Sequence, residues 1–493
     1  MKLGELLAKA GLPGSGDQAV TGFAIDHRKV APGTVFGAFQ GARVNGEDFI
    51  PAAVEAGAIA VVARPEARVE GALHLSDVNP RRAFARLAAG FFSPYPATIV
   101  AVTGTNGKTS TVEMTRQIWR MAGERAASIG TLGVTTPDGS VSTGLTTPDI
   151  VTFLANMAGL AREGVSHVAY EASSHGLDQY RNEGLTVSAS AFTNFSRDHL
   201  DYHGTMEAYF AAKMRLFTEV VAPGSPAVIH VGELGADDGS EWTAKAIAQA
   251  QARGLKVLTV GEGGSFLKLV AREPGQLGQL LHIEHEGTMR KVNLPLIGAY
   301  QAANALVSAG LAMGTGIAAS SVFDALTRLQ PVRGRLERAA INAAGAPAYV
   351  DYAHTPDALE AAIAALRPHV AAGGRLIVVF GAGGDRDAGK RPQMGEVAAR
   401  AADIAIVTDD NPRSEDPAAI RAAIMAGAGP NTRDIGGRRE AIAAAIGEAG
   451  AQDIVLIAGK GHEQGQIFGS GDNMRIEAFD DVEVARECAG GQC

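Results

Sequence analysis

One stretch limits the possible folds more than any other: "TIVAVTGTNGKTSTVEMTRQIW", residues 98–119. A β-branched apolar run reads as a buried strand, two glycines break it, and a helical pattern follows at once. A strand that opens straight into a helix through a Gly-rich turn starts a parallel α/β unit. Gly104 and Gly107 let the backbone approach an anion, and the next N–H groups, with the helix N-terminus, favour phosphate. Lys108 can reach terminal phosphates, and the hydroxyl of Thr109 or Ser110 can serve Mg²⁺. The expected ATP cradle is therefore Gly104, Thr105, Asn106, Gly107, Lys108, Thr109 and Ser110. Its G-x-x-G-K-T-S spacing is shorter than the usual G-x-x-x-x-G-K-[ST], and a structural turn is the competing reading.

A chain of 493 residues exceeds one core and predicts about two to four domains. Its net charge of −9 argues against a nucleic-acid partner, while leaving room for a small anionic substrate held by local Arg and Lys. The two cysteines, Cys488 and Cys493, can build neither a disulfide framework nor a metal site, which fits a reducing compartment. "MKLGELLAKAGLPG" lacks the apolar stretch of a signal peptide, and no window approaches about 18 consecutive apolar residues. The expectation is a cytoplasmic chain without membrane contact.

Residues 1–90 mix short strands ("TVFGAF", "AIAVVA") with the helical "FIPAAVEAG", and Pro94 and Pro96 precede the phosphate loop. A second boundary falls near "LTRLQPVRGRLE", where a helical stretch meets Pro331 and Gly334. Beyond it, four apolar runs each end in a polar loop: "APAYV" into "DYAHTPDAL", "RLIVVF" into "GAGGDRDAGKRP", "IAIVT" into "DDNPR", and "DIVLIA" into "GKGHEQGQ". Helical, Ala-rich segments separate them, the pattern of a doubly wound parallel sheet with four loops gathered at one edge. The expected divisions are 1–90, 91–331 and 332–493. Nearer the phosphate loop, "VAYEASSHGL" puts Glu171 at a strand end, and "SRDHLDYHGTMEAYFAAKMRLF" carries Asp198, His199 and, on a helix, Lys213. A carboxylate and an imidazole near a triphosphate can bind a metal, although each alone is as well read as a surface or capping group.

"GTNGKTS", "LTTPD", "EASSHGL", "SRDHLDYHGTMEAY", "LIGAYQAAN", "RGRLE", "DYAHTPDAL", "GAGGDRDAGKRPQMG", "DNPR" and "AGKGHEQGQ" stand in an order that resembles the Mur ligase family of ATP-dependent amino-acid-adding enzymes. The likeness runs from about residue 22 to 485 and includes the shortened glycine spacing. It implies an α/β chain of three domains: a small uridine-binding domain, a central P-loop parallel-sheet ATPase domain, and a C-terminal Rossmann-like domain. It implies ATP and Mg²⁺ as cofactors and small molecules as partners, and the expected state is a monomer. The implied reaction phosphorylates the D-glutamate carboxylate of a UDP-N-acetylmuramoyl dipeptide to an acyl phosphate, which an incoming amine then attacks. Lys108, His199 and Lys213 would be catalytic. Thr109, Glu171, His199 and a carbamylated Lys213 would serve the metal. Asn304, Arg335 and Asp351 would reach the nucleotide. Thr146, Thr147, Ser173, Gln179 and Arg181 match positions that touch the UDP-sugar dipeptide, as do Ile25 and His27 of the uridine module. There the chain departs from the family, carrying Asp26-His27-Arg28 where Asp-Ser-Arg is usual. The run "VIHVGELGADDG" is a second departure, without an account.

"DYAHTPDAL" and "GGDRDAGKRP" resemble the members that add meso-2,6-diaminopimelate, and "DNPR" accompanies that substrate in the family. Diaminopimelate carries a second amino-acid head at its far end. A site that reads its carboxylate needs a forked donor, which Arg supplies. The implied pocket is Arg386, Asp410, Asn411, Pro412, Arg413, Gly459 and Glu463, with Glu463 accepting from the distal ammonium. Taken alone, Asn-Pro-Arg would be a plain turn. Lysine addition, the related folylpolyglutamate synthase activity, and a P-loop ATP-binding scaffold without ligase chemistry are the alternative readings.

Overall fold

The computed structural model describes residues 1–41, 44–141, 146–232 and 240–491. They form two compact units, residues 1–260 with 310–318, and residues 261–309 with those from 319 onward.

The first unit carries two sheets. Strands β1 (Gly22–Ala24), β2 (Thr34–Gly37), β3 (Ala58–Ala63) and β4 (Leu73–Ser76) pair in that order, all parallel. The larger sheet uses β5 (Thr98–Thr103), β6 (Ala126–Gly130), β7 (Gly133–Thr135), β8 (Ser140–Val141), β9 (His167–Glu171), β10 (Ala189–Phe192), β11 (Pro226–His230) and β12 (Lys256–Gly261). Their order is β12-β11-β10-β5-β9-β6-β7-β8, parallel from β12 to β6. The predicted phosphate-loop strand, β5, lies between β10 and β9. Burial on both faces explains its unbroken run of Ile99, Val100, Ala101 and Val102.

In the second unit β13 (Leu267–Gly275), β14 (Gly278–His285) and β15 (Thr288–Leu294) form an antiparallel meander. The C-terminal sheet holds β16 (Glu337–Ile341), β17 (Pro347–Asp351), β18 (Leu376–Phe380), β19 (Ile404–Val407), β20 (Thr432–Asp434) and β21 (Ile454–Ala458), in the order β16-β17-β21-β18-β19-β20. All but β16 run parallel. The four predicted apolar runs are β17, β18, β19 and β21, so their loops leave from the same edge. A short hairpin, β22 (Gly465–Phe468) with β23 (Arg475–Ala478), follows the last loop. Helices such as Pro356–Leu366 and Arg438–Glu448 bury apolar stripes against opposite faces of this sheet, in two separate cores.

The unexplained stretch "VIHVGELGADDG" begins within β11, and its residues 233–239 lie outside the described residues, as does Cys493. No helix among the described residues is long and apolar enough to cross a membrane.

Candidate active site

The phosphate loop is held by the end of the neighbouring strand. Thr105 N–H donates to the Asn194 carbonyl (2.9 Å), Asn106 N–H to Asn194 Oδ1 (2.9 Å), and Thr193 Oγ1 to the Asn106 carbonyl (2.6 Å). This clamp lies so close that a Cβ on Gly104 would fall 1.9 Å from Thr193 Oγ1, and φ of +141° there is glycine's own territory. The helix Lys108–Met121 starts directly after Gly107, with Thr109 and Ser110 buried in its first turn.

Two lysines meet at one carbonyl. Lys108 Nζ donates to the Gly104 oxygen (3.1 Å) and the Thr105 oxygen (2.7 Å), and Lys213 Nζ donates to the same Gly104 oxygen at 2.6 Å. Lys213, on the helix Met206–Arg215, is 1% exposed and lies over the Tyr209 ring at 4.5 Å. Burial drives its amine well below the ordinary lysine value; Lys108 adds to this and Asp198 opposes it. A neutral amine is the form that can add CO₂.

Glu171 ends β9, 2% exposed, and its carboxylate accepts from Thr131 N–H (2.7 Å) and Thr131 Oγ1 (3.3 Å). Thr147 Oγ1 donates to the Glu171 carbonyl (2.9 Å) and lies 3.0 Å from Ser173 Oγ, and Thr146 Oγ1 lies 3.1 Å from Thr131 Oγ1. Ser173 caps the helix Ser174–Asp178, and Arg181 donates to the Thr147 carbonyl (2.9 Å) and to Gln179 Oε1 (2.6 Å). Thr146, Thr147, Ser173, Gln179 and Arg181 thus share one hydrogen-bonded shelf beside Glu171. His199 has φ of +51°, with its ring 5.0 Å from that of His175. Burial pushes its imidazole below the ordinary value, against the pull of Asp198, with Lys108 and Lys213 adding to the effect.

The donor set fits magnesium bound to a nucleotide better than a protein cage. Among the described residues no group of three or more His, Cys, Asp and Glu is arranged around a metal position. Mg²⁺ typically takes one or two carboxylates and completes its shell with phosphate oxygens and water.

In the N-terminal region expected to bind uridine, Asp26 caps the turn His27–Lys29 and pairs with Arg28, whose hydrogen bond holds the carboxyl at about 2. The His27 ring stacks on Phe49, centroids 4.4 Å apart and 4° from parallel. The departure from the usual serine is therefore taken up by a ring–ring contact, while neighbouring Ile25 is exposed.

In the second unit, Asn304 Nδ2 donates to Gln301 Oε1 (3.2 Å), Gln301 Nε2 to the Arg335 carbonyl (2.8 Å), and Leu336 N–H to Asp351 Oδ2 (2.8 Å). One polar chain connects the three residues expected at the nucleotide. Arg335 lies over the Tyr352 ring at 5.0 Å rather than in a helix cap. Burial raises the Asp351 carboxyl above its ordinary value, opposed by Arg335 and two backbone N–H groups.

The residues expected to form the amino-acid pocket lie at the ends of β18, β19 and β21. Arg413 has φ of +53°; its N–H donates to the Ile467 carbonyl (3.0 Å), and its Nη1 to the Gly384 carbonyl (2.8 Å). Among the described residues it makes no salt bridge to a carboxylate, and exposed Arg386 makes no hydrogen bond or salt bridge. Pro412 is buried. Asp410 Oδ1 accepts from Asn411 N–H (2.7 Å), and a Cβ on Gly459, φ +120°, would meet Asp410 Oδ2 at 2.6 Å. Asn411 Nδ2 donates to Glu463 Oε2 (2.8 Å). The sequence reading passed over Lys460, 0% exposed, whose Nζ donates to Asn411 Oδ1 (3.0 Å) and Glu463 Oε2 (3.3 Å).

Strain marks these places. Among the described residues six non-glycines have positive φ: Tyr180, His199, Glu286, Leu336, Asp385 and Arg413. All but Glu286, in a hairpin turn, are predicted site residues or their immediate neighbours. Such conformations persist only where surrounding contacts over-determine them, which is common at functional sites.

Three family models match: "Mur ligase family, catalytic domain" over residues 19–92, "Mur ligase middle domain" over 102–312, and "Mur ligase, glutamate ligase domain" over 334–461. A UDP-N-acetylmuramoyl-L-alanyl-D-glutamate–2,6-diaminopimelate ligase of Zymomonas mobilis is 59% identical over 487 residues, 99% of this chain and 98% of its own. The enzyme of the same name from Bradyrhizobium diazoefficiens is 53% identical over 92% of each chain. A solved structure bearing that name superposes with a TM-score of 0.75 at 32% identity, over 100% of this chain and 99% of the other. A Mycobacterium tuberculosis folylpolyglutamate synthase complexed with ADP shares the fold at 19% identity and a TM-score of 0.60, over 77% of this chain and 91% of the other.

Proposed function

This chain belongs to the Mur ligase family, and on that premise we propose that it joins meso-2,6-diaminopimelate to UDP-N-acetylmuramoyl-L-alanyl-D-glutamate, converting ATP to ADP and phosphate. A carboxylate oxygen of the D-glutamate takes the γ-phosphoryl group, giving an acyl phosphate. The amine attacks the carbonyl carbon, and the tetrahedral intermediate expels phosphate to leave the amide. Phosphoryl transfer of this kind depends on positioning and charge neutralisation. Lys108 and the loop from Gly104 to Ser110 would cradle the nucleotide phosphates. Thr109, Glu171, His199 and a carbamylated Lys213 would hold Mg²⁺, which when bound neutralises phosphate charge. Asn304, Arg335 and Asp351 would serve the nucleotide, while Ile25, His27 and the Thr146–Arg181 shelf would serve the UDP-sugar dipeptide. The domain divisions at 1–90, 91–331 and 332–493, a monomeric state and a cytoplasmic location belong to the same proposal.

The observation that carries the choice of amino acid is Arg413, held in a strained backbone conformation at a strand end beside Arg386, with no salt bridge to a carboxylate among the described residues. A site built for both charges of a distal amino-acid head should reject ligands lacking one of them. The test is phosphate release with each substrate omitted in turn, followed by competition between lysine and meso-diaminopimelate. Release should require both the UDP-sugar dipeptide and the amino acid, and the dicarboxylic acid should win. Release indifferent to either substrate rules out the ligase reading, and preference for lysine rules out this amino acid.

A further inference from the structure

Lys460 is an ammonium with no access to water, at the end of a parallel strand, and nothing in the proposed reaction uses it. Burying an ammonium costs several kcal/mol unless it is paired and hydrogen-bonded. An apolar side chain of the same length would fill the space without that cost. Its polar contacts therefore indicate what the charge does there.

It makes two, both to residues of the proposed amino-acid pocket. Nζ donates to Asn411 Oδ1 at 3.0 Å and to Glu463 Oε2 at 3.3 Å. An ammonium can only donate, so the amide of Asn411 has one possible orientation. Its oxygen also accepts from Ile467 N–H (3.0 Å), and its Nδ2 donates to Glu463 Oε2 (2.8 Å). Two donors therefore converge on Oε2 of Glu463, while Oε1 has no hydrogen bond among the described residues. Glu463 is one-third exposed, so Oε1 is the oxygen left for a ligand. Ile467, which donates to Asn411, accepts in turn from Arg413 N–H at 3.0 Å. Lys460, Asn411, Glu463 and the backbone of Arg413 thus form one hydrogen-bonded set.

We propose that Lys460 is a positioning residue for amino-acid selectivity: it fixes Glu463 and Asn411 so that Glu463 Oε1 meets the distal ammonium of a diamino dicarboxylic acid. The assignment rests on the amino-acid pocket proposed above. It gives each charge of the distal head its own reader, Arg413 for the carboxylate and Glu463 for the ammonium, with Lys460 aligning the second.

The test uses the full-length enzyme with meso-diaminopimelate and with 2-aminopimelate, which keeps the distal carboxylate and lacks the distal ammonium. Phosphate release is measured for wild type, Lys460→Met, Glu463→Gln and the double variant, varying each substrate. Lys460→Met should raise KM for diaminopimelate at least tenfold and shrink the preference over 2-aminopimelate by a similar factor. KM for ATP and the UDP-sugar dipeptide should stay within twofold. The double variant should be no worse than Glu463→Gln, because both changes remove the same aligned carboxylate. Effects that simply multiply, or a Lys460→Met defect equal for all substrates, overturn the proposal. A Glu463→Gln variant that keeps its preference for diaminopimelate instead overturns the pocket itself. Should Lys460→Met not fold, Lys460→Gln carries the same test, since an amide can still reach Asn411 but cannot pair with Glu463.

Discussion

The phosphate seat and the amino-acid pocket solve the placing of charge in opposite ways. At the phosphate seat, backbone does the holding: residues 104–110 are contiguous, clamped by Thr193 and Asn194, and the two lysines donate to one shared carbonyl. At the amino-acid pocket, side chains from three strand ends hold one another, and Lys460, Asp410 and Glu463 are tied together through Asn411. Among the described residues, Arg386 and Arg413 make no salt bridge to a carboxylate. Lys108 at the seat and Arg413 at the pocket are the cations proposed to meet an anionic ligand. A contiguous backbone cradle suits a ligand common to many enzymes, and a side-chain mosaic suits a ligand that must be told apart from its analogues.

The comparison breaks first at Lys108. Lys108→Ala removes a cation from the seat while leaving the clamp intact, and kcat for ADP formation should fall about 10³-fold, the scale for losing one preorganised transition-state donor. KM for diaminopimelate should change little. A loss confined to that KM would mean the two regions have been assigned the wrong way round. Arg413→Ala is the converse. KM for diaminopimelate should rise about 10²-fold, as for removing one partner of a desolvated charge pair, with KM for ATP nearly unchanged. Equal effects on the two substrates would count against the pocket. Arg386→Ala should act in the same direction but only about tenfold, because that guanidinium is exposed to water and screened. A larger effect from Arg386 than from Arg413 would move the main carboxylate reader to the other loop.

The two regions also differ in how much of them was legible in the sequence. The phosphate seat was visible because its residues are neighbours in the chain, and the four strand ends because apolar runs alternate with Gly- and Pro-bearing loops. What joins them was not visible. Thr131 to Glu171 spans 40 residues, Asn106 to Asn194 spans 88, and Lys460 to Asn411 spans 49, and no local pattern encodes such bonds. Lys460 stood inside the quoted "AGKGHEQGQ" and was passed over because lysine beside glycine reads as solvated surface. Its partners come from "DNPR", through Asn411, and from Glu463, and Asn411 is bonded in turn to Ile467 of β22. His27 is similar: its departure from the family was evident, but the stack on Phe49 that accommodates it was not.

The smallest expected effect tests the scaffold of the pocket. Glu415, two residues beyond Arg413, accepts from Arg391 Nη1 and Nη2, both at 2.8 Å, and from Asp385 N–H at 2.6 Å. It thereby ties the loop after β19 to the loop after β18. The Arg391 guanidinium holds its carboxyl at about 2, well under the ordinary glutamate value. Between those two values the unfolded chain binds a proton that the folded chain does not, so stability rises with pH across the window. The contribution is complete above roughly pH 4.5 and is lost as pH falls toward 2. With Glu415 about one-third exposed, solvent screening limits it to roughly 1 kcal/mol. Urea unfolding of wild type and Glu415→Gln should differ by that amount at pH 7, and the gap should narrow steadily from pH 4.5 to 3. KM for diaminopimelate should shift by less than about threefold, since Arg413 keeps its bonds to Gly384 and Ile467. A gap independent of pH would show that the ion pair contributes nothing and that packing alone holds these loops. A KM shift matching that of Arg413→Ala would instead make the tie part of substrate reading, and the pocket would then extend further around the sheet edge.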